Sequence, residues 1–287
     1  MLIKKTKTGR GTKPPVNAEL DSAHPLYRKM RDCVLFNEQA GTFYKNILKP
    51  QNNGTFTNGS PLWTNTKHYS GISSTTSNRP HIKCVDSVNY MAGDFTLRIL
   101  FSPVSLPNVY SCLISKQAST DREFCMFFNT SGHLQYYSVG GGPERYFGEA
   151  ITVGLQANRL YDMVLTGVKA SDSLALYLNG SLIQNNAGLA TVGSNGWSNG
   201  GTTNVIGLGT DPQSAPSNFG NFTFYGFNSW VGRALSASEV KELYNNPFSF
   251  VKAKKNPVGL DNAVAAALSS FFNRRQNGYR TGTRSYF

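Results

Sequence analysis

The chain has 287 residues and is 39% hydrophobic, enough to bury one large core or two small ones. Only 15% of residues are charged, while Gly, Asn, Ser and Thr abound, a mix that suits strands joined by polar turns rather than long charged helices. No stretch approaches the roughly 20 apolar residues of a membrane helix, and no apolar run follows Met1-Leu2-Ile3-Lys4-Lys5, which predicts the absence of a Sec-type signal peptide.

The net charge of +12 is unevenly placed. Residues 1–14 carry Lys4, Lys5, Lys7, Arg10 and Lys13 with no acid, a charge of +5. Residues 251–287 carry Lys252, Lys254, Lys255, Arg274, Arg275, Arg280 and Arg284 against Asp261, a charge of +6. The remainder is nearly neutral. Such segments favour an acidic partner: nucleic acid, an anionic surface or an acidic protein face.

In chain order, residues 1–24 read as an extended basic arm, residues 25–250 as one domain, and residues 251–287 as a second basic arm. Cys33-Val34-Leu35-Phe36 is the first apolar run, and Asn37–Thr42 follows as a turn. Residues 49–80 read as loop-rich, with tight turns at Asn53-Gly54 and Asn58-Gly59. A steady strand signal begins near residue 82. Phe95–Phe101, Tyr110–Ser115, Glu123–Asn129, Leu134–Val139, Leu160–Gly167, Leu174–Leu178, Asn204–Gly207 and Phe222–Val231 are the candidates, several with period-two alternation. Thr130-Ser131-Gly132, Gly140-Gly141-Gly142 and Asn179-Gly180 separate strands as hairpin turns. Many strands without intervening helices predict an antiparallel sandwich.

Ser236-Ala237-Ser238-Glu239 is a capping box, so a helix starts there, with Val240, Leu243 and Tyr244 on its apolar face and Pro247 at its end. A second helical pattern, Leu260, Val264, Leu268, Phe271 and Phe272 with Asp261 as N-cap, lies inside the C-terminal arm. Alone in water it is marginal, so it calls for a docking surface.

Three ordered segments carry a family resemblance. Val34–Thr42 is similar to an opening strand and acidic-Gly turn. Leu174-Ala175-Leu176-Tyr177-Leu178-Asn179-Gly180 is similar to an L-Y-x-N-G hairpin. Phe224–Ser236, with Glu239, Leu243 and Tyr244 after it, is similar to a closing strand and an A-L-S-x-x-E helix. Together they resemble the LamG-like jelly-roll domains of the concanavalin A-like lectin/glucanase superfamily, across residues 25–250. The resemblance implies an all-β, antiparallel, two-sheet jelly-roll sandwich with one short C-terminal helix and extended terminal arms. With basic arms, it is also similar to domains on tailed-bacteriophage virion proteins.

Motifs for chemistry are sparse. Glycosidases of this superfamily carry a Glu-x-Asp-x-x-Glu strand, and none of the seven Glu residues here begins one. Retaining hydrolysis needs two carboxyls about 5–5.5 Å apart, so the chain is expected not to be an enzyme. His24, His68, His81 and His133 are scattered without ligand spacing. Gly140-Gly141-Gly142 precedes Pro143-Glu144-Arg145 rather than Lys-Ser/Thr and a helix, so it is a loop tip. No cofactor is expected. The resemblance admits calcium, for which Asp94, Asp172 and Asp211 are the weak candidates near turns. The four cysteines match no zinc motif, and reduced thiols are the default; a hairpin that brings Cys112 and Cys125 face to face leaves a disulfide between them as the alternative.

Glycan binding needs an exposed aromatic flanked by amides and hydroxyls. Trp197 with Asn199, and Tyr136 with Tyr137, are the candidates, against the plainer reading of Trp197 as packing under its own loop. Trp230 reads as core. The leading expectation is a non-enzymatic virion structural protein on the capsid surface: a bacteriophage capsid decoration, cement or head-fibre component. Its arms, with Phe271 and Phe272, would dock on major capsid or other virion proteins in a multi-copy or homo-oligomeric assembly. The alternative is a carbohydrate-binding adhesion module of a phage fibre recognising host surface glycans. An intracellular glycan hydrolase is a weaker rival, and nucleic-acid contact would be non-specific and salt-dependent.

Overall fold

The computed structural model describes residues 14, 18–36, 43–48, 54–57, 62–65, 70–73, 81–85, 90–106, 111–118, 121–129, 133–139, 145–146, 151–152, 154–171, 173–186, 205–209 and 220–253. Among them are nineteen strands and one α-helix. In chain order the strands are β1 (Ala18–Leu20), β2 (Met30–Val34), β3 (Phe43–Tyr44), β4 (Gly54–Thr57), β5 (Leu62–Asn65), β6 (Ser70–Ser73) and β7 (His81–Val85). There follow β8 (Phe95–Pro103), β9 (Ser111–Ala118), β10 (Asp121–Phe128), β11 (His133–Val139), β12 (Arg145–Tyr146) and β13 (Ile151–Thr152). The last are β14 (Tyr161–Val168), β15 (Ser173–Leu178), β16 (Ser181–Asn186), β17 (Val205–Leu208), β18 (Phe222–Val231) and, after helix α1 (Ala237–Asn245), β19 (Val251–Ala253).

Two large antiparallel sheets result. One runs β12-β11-β10-β9-β17-β7-β4-β3 with β13 beside β11; the other runs β16-β15-β14-β8-β18-β6-β5 with β2 beside β18. This is the antiparallel two-sheet sandwich that the alternation predicts. Three strands, β4, β5 and β6, occupy the stretch read as loop-rich. Their short polar sequences, such as Ser70-Gly71-Ile72-Ser73, carry too few apolar residues to signal a strand. No helix among the described residues is long and apolar enough to cross a membrane.

Alternation decides which side chains enter the core. Along β8, Phe95, Leu97, Ile99 and Phe101 face the opposite sheet and join the inter-sheet cluster, while Leu100 joins a cluster on the outer face. On β18, Phe222 and Phe224 point inward; the register then shifts before Gly226, and Phe227 is the next inward residue. This bulge, next to Gly226, moves the inward set by one position. Phe101 and Phe222 meet edge to face at 5.7 Å, and Phe128 lies 5.8 Å from Phe222. Each such ring, fully buried, is worth about 1.5–3 kcal/mol.

The outer face of the eight-stranded sheet holds a second cluster: Leu26, Trp230, Val240, Leu243, Phe248 and Phe250 among others. Trp230 is core as expected, and its indole N–H donates to Leu26 O at 2.7 Å. A buried ion pair pins this layer to the sheet. Arg98 meets Asp162 through two parallel bonds, Nε to Oδ1 at 3.0 Å and Nη2 to Oδ2 at 2.7 Å. The remaining guanidinium hydrogens go to Leu243 O at 3.1 Å, Pro247 O at 2.8 Å and Asn228 Oδ1 at 3.3 Å. Arg98 thereby accommodates the Leu243 carbonyl, which the end of α1 leaves without an intrahelical donor because Pro247, four residues on, has no N–H. The cap at the other end forms as predicted: Ser236 Oγ accepts from Glu239 N, and Glu239 Oε2 accepts from Ser236 N at 2.9 Å.

A second buried polar set crosses between the sheets. Asp32 accepts from Tyr90 Oη at 2.7 Å, from Ser229 Oγ at 2.5 Å and from Asn46 Nδ2 at 2.8 Å. Lys116 pairs with Glu123 at 2.8 Å, and its ammonium lies 4.7 Å from the Tyr90 ring centroid. All six side chains are buried, so this set organises the fold and is closed to ligands.

The arm boundaries differ from expectation. β1 and β19 form a two-stranded sheet, so residues 18–24 belong to the folded body. Lys252, expected in a docking arm, sits in β19, 3.8 Å from both Glu19 and Asp21. The chain divides into two units, Met1–Lys252 and Ala253–Phe287.

Candidate functional site

The clearest candidate site is an open groove of about 330 Å³ on the outer face of the β14–β15 hairpin. Its floor follows from strand periodicity. Met163, Leu165 and Gly167 pair with Leu178, Leu176 and Leu174, and this set turns inward. The alternate pairs, Val164 with Tyr177, Thr166 with Ala175 and Val168 with Ser173, turn outward. From Tyr177 to Ser173 the outward set grades from a buried aromatic to a half-exposed hydroxyl. The Asn179-Gly180 turn that closes the next hairpin has φ of 52° and 74°, the pair of positive values expected there.

Ala234, Leu235, Ser236 and Glu239 form the wall. Several bonds fix it in place. Gly232 N and Arg233 N donate to Asp94 O at 2.7 and 3.1 Å. Thr96 Oγ1 donates to Arg233 O at 3.1 Å and accepts from Leu235 N at 2.9 Å. Arg233 Nη1 donates to Pro25 O and Arg28 O, each at 2.8 Å, while its Nη2 donates to Glu239 Oε1. A wall held this way is preorganised, so a ligand bears little ordering cost.

The electrostatics of the groove are modest. Burial works to raise the Glu239 pKa, but the Ser236 amide and hydroxyl and the Arg233 guanidinium outweigh it and hold the carboxyl below its ordinary value. Glu239 therefore presents a carboxylate already engaged by two partners. Burial pushes the Tyr177 phenol up, keeping it neutral. The groove is lined by Tyr177, by the half-exposed Ser173 hydroxyl, by the Thr166 and Ser236 hydroxyls that already bond Ala175 O and Glu239, and by small apolar patches from Val168, Ala175 and Ala234. That set matches a hydroxyl-bearing ring with one apolar face.

The sequence-predicted residues fall differently. Tyr136 is a correction: it is 2% exposed and lies in the inter-sheet cluster, so it presents no aromatic platform. It alternates with Leu134 on the inward face of β11, a position that the Tyr-Tyr pair conceals in the sequence. Tyr137 has a backbone position on β11 opposite Tyr146, and its side chain lies outside the described residues. Trp197 and Asn199 lie outside them too, as do Gly140-Gly141-Gly142, Asp172, Asp211 and the second helical pattern. The same holds for Lys4, Lys5, Lys7, Arg10, Lys13, Lys254, Lys255, Phe271, Phe272, Arg274, Arg275, Arg280 and Arg284.

Asp94 is described, and its Oδ1 accepts from Lys169 N at 2.9 Å. Together with its carbonyl it latches two loops. No group of three or more His, Cys, Asp or Glu side chains able to hold a metal occurs among the described residues. His24 caps the turn at Pro25–Tyr27, with Nδ1 accepting from Leu26 N at 3.2 Å. Sequence reasoning missed the groove because its floor, Ser173, Ala175 and Tyr177, lies within the hairpin read only as a mark of the fold.

No family model matches the sequence, and no curated protein is significantly similar to it. Solved structures do match. The binding domain of Paraclostridial Mosquitocidal Protein 1 superposes with a TM-score of 0.59 at 16% identity, over 76% of this chain and 52% of that one. Botulinum neurotoxin type C, whose uptake into cells depends on interaction with two ganglioside molecules, gives 0.56 at 11% identity, over 76% and 51%. A Trypanosoma rangeli sialidase in complex with 2,3-difluoro-KDN gives 0.50 at 12% identity, over 75% and 32%. The chain thus spans about half the length of the two toxin structures. At these identities the likeness defines the fold: an antiparallel β-sandwich of the kind found in toxin binding domains. The jelly-roll resemblance is supported to that depth, as a β-sandwich; the LamG and phage links are not supported by these structures.

Proposed function

We propose that this chain is a non-catalytic carbohydrate-binding module that seats a hydroxyl-rich sugar in the β14–β15 groove. The observation that carries this reading is the fixed groove itself, in which Tyr177 floors a row of hydroxyls from Thr166, Ser173 and Ser236. The fold shared with a ganglioside-dependent toxin supports it. A binding rather than hydrolytic role is supported by Glu239, the carboxylate of the groove wall, which is spent on Arg233 and Ser236. A glycan array carrying neutral and ganglioside-type oligosaccharides tests the proposal. Wild-type chain binds, and Ser173→Arg, which fills the open end of the groove, does not. Binding lost in Trp197→Ala but kept in Ser173→Arg would move the site to the Trp197 loop and contradict the groove.

The charge distribution also favours attachment to an acidic scaffold, the virion surface of the leading sequence expectation. Nearly all of the net charge of +12 lies in residues 1–14 and 251–287, and two linked contacts raise avidity without strong single ones. Removing both segments abolishes docking on acidic capsid subunits under this second reading; undiminished docking of the trimmed chain would contradict it.

A further inference from the structure

The nine-stranded sheet contains a pair of thiols that no role above uses. Cys112 is on β9 and Cys125 on the adjacent β10. Cys112 pairs with Phe127 and Cys125 with Ser115, and the register shifts between Met126 and Phe127. Ile114 opposes Met126 and Cys112 opposes Phe127, so Leu113 is the extra residue of a bulge. In a regular ladder, positions offset by two are diagonal neighbours about 7–8 Å apart. At this bulge, where the strand bends and twists, the two sulfurs stand 3.7 Å apart, in van der Waals contact. Both side chains are buried, at 0% and 4% exposure, and neither is in a disulfide.

We propose that Cys112 and Cys125 are a disulfide site, closed when the chain folds against a disulfide oxidant such as oxidised glutathione. Adjacent strands hold the two sulfurs face to face, so closure needs a short approach along the existing contact rather than a rearranged sheet. The chemistry balances. One thiol loses its proton and its thiolate attacks the oxidant, releasing one glutathione thiolate and leaving a mixed disulfide. The second thiolate then attacks the protein sulfur of that mixed disulfide and releases the second glutathione. The two protons end on the glutathione thiols; the protein sulfurs are oxidised and the glutathione disulfide is reduced. Burial closes the finished pair to large reductants and places the reaction during folding, before β9 and β10 seal.

Cys33 supplies an internal contrast. It lies in the outer cluster, its sulfur accepts from Asn228 Nδ2 at 3.3 Å, and burial pushes its pKa up to about 12. A thiol in that state is a poor nucleophile.

The test refolds the full chain from its reduced, denatured state in a glutathione redox buffer, alkylates free thiols after denaturation, and measures intact mass and peptide maps. The expected product has lost two hydrogens, with Cys112 and Cys125 cross-linked and both Cys33 and Cys84 alkylated. Dithiothreitol then lowers Tm by on the order of 5–10 °C, the effect of opening a loop of this size. Cys112→Ser abolishes both changes; if that variant fails to fold, Cys125→Ala gives the same readout. Alkylation of both Cys112 and Cys125, a bridge to Cys33 or Cys84 instead, or a Cys112–Cys125 bridge with no gain in Tm would overturn the proposal.

Discussion

The two hydrophobic layers of this sandwich are held by different physics. The inter-sheet layer is apolar contact between strands whose side chains alternate, with Phe101, Phe128 and Phe222 at its aromatic centre. The outer layer joins the start of the domain, α1 and the segment after it onto the back of one sheet, and it turns around a buried charge. The first layer needs only pattern. The second needs Arg98, whose guanidinium ties β8, β14, the end of α1 and Pro247 together. The difference teaches that the groove wall, which runs into the first turn of α1, depends on the layer that is harder to read.

Breaking that buried pair has the largest expected effect. Asp162→Ala leaves Arg98 charged and without its carboxylate, and costs about 3–5 kcal/mol. Urea unfolding measures the loss, and limited proteolysis should show the first cuts near α1. A cost below about 1 kcal/mol would mean the outer layer does not rely on the pair. Phe222→Ala, in the other layer, costs a comparable ~3–5 kcal/mol through its cavity, but without selective exposure of α1.

The capping box comes next. Ser236→Ala removes one acceptor and costs about 1 kcal/mol. Glu239 adds a pH signature. Its folded pKa is depressed below the ordinary 4.5, so its stabilising contribution is complete above that value and is lost as pH falls through the lower folded pKa. Wild-type thermal stability should therefore decline more steeply on acidification than that of Glu239→Gln. Matching acid profiles would show that the Arg233 and Ser236 contacts contribute nothing. The smallest effect belongs to Lys252→Ala. Its ion pairs with Glu19 and Asp21 are half-exposed, and their loss changes stability by less than about 0.5 kcal/mol in urea.

The fold was more legible than the site. Alternation placed Phe95–Phe101, Leu174–Leu178 and Phe222–Val231 on strands, and Ser236-Ala237-Ser238-Glu239 placed α1, because each rests on a local rule. Asn179-Gly180 set its own turn for the same reason. The strands between residues 54 and 73 escaped notice because their polar sequences are paired through neighbours distant in the chain. Tyr136 misled because an aromatic beside a turn looks exposed until its register is known. Arg98 gave no sign in sequence; a lone arginine inside an apolar strand acquires its role only when Asp162, 64 residues away, pairs with it. The groove was hidden likewise, since Ser173 and Tyr177 become its floor only when residues 234–239 fold across them.

The most direct test of the central claim is chemical-shift mapping of the full chain titrated with a ganglioside-type oligosaccharide that it binds on the array. Amide shifts should cluster at residues 164–177 and 233–239, with the sugar recovered intact. Shifts confined to the loop around Trp197, or a hydrolysed sugar, would contradict the assignment of a non-catalytic binding groove.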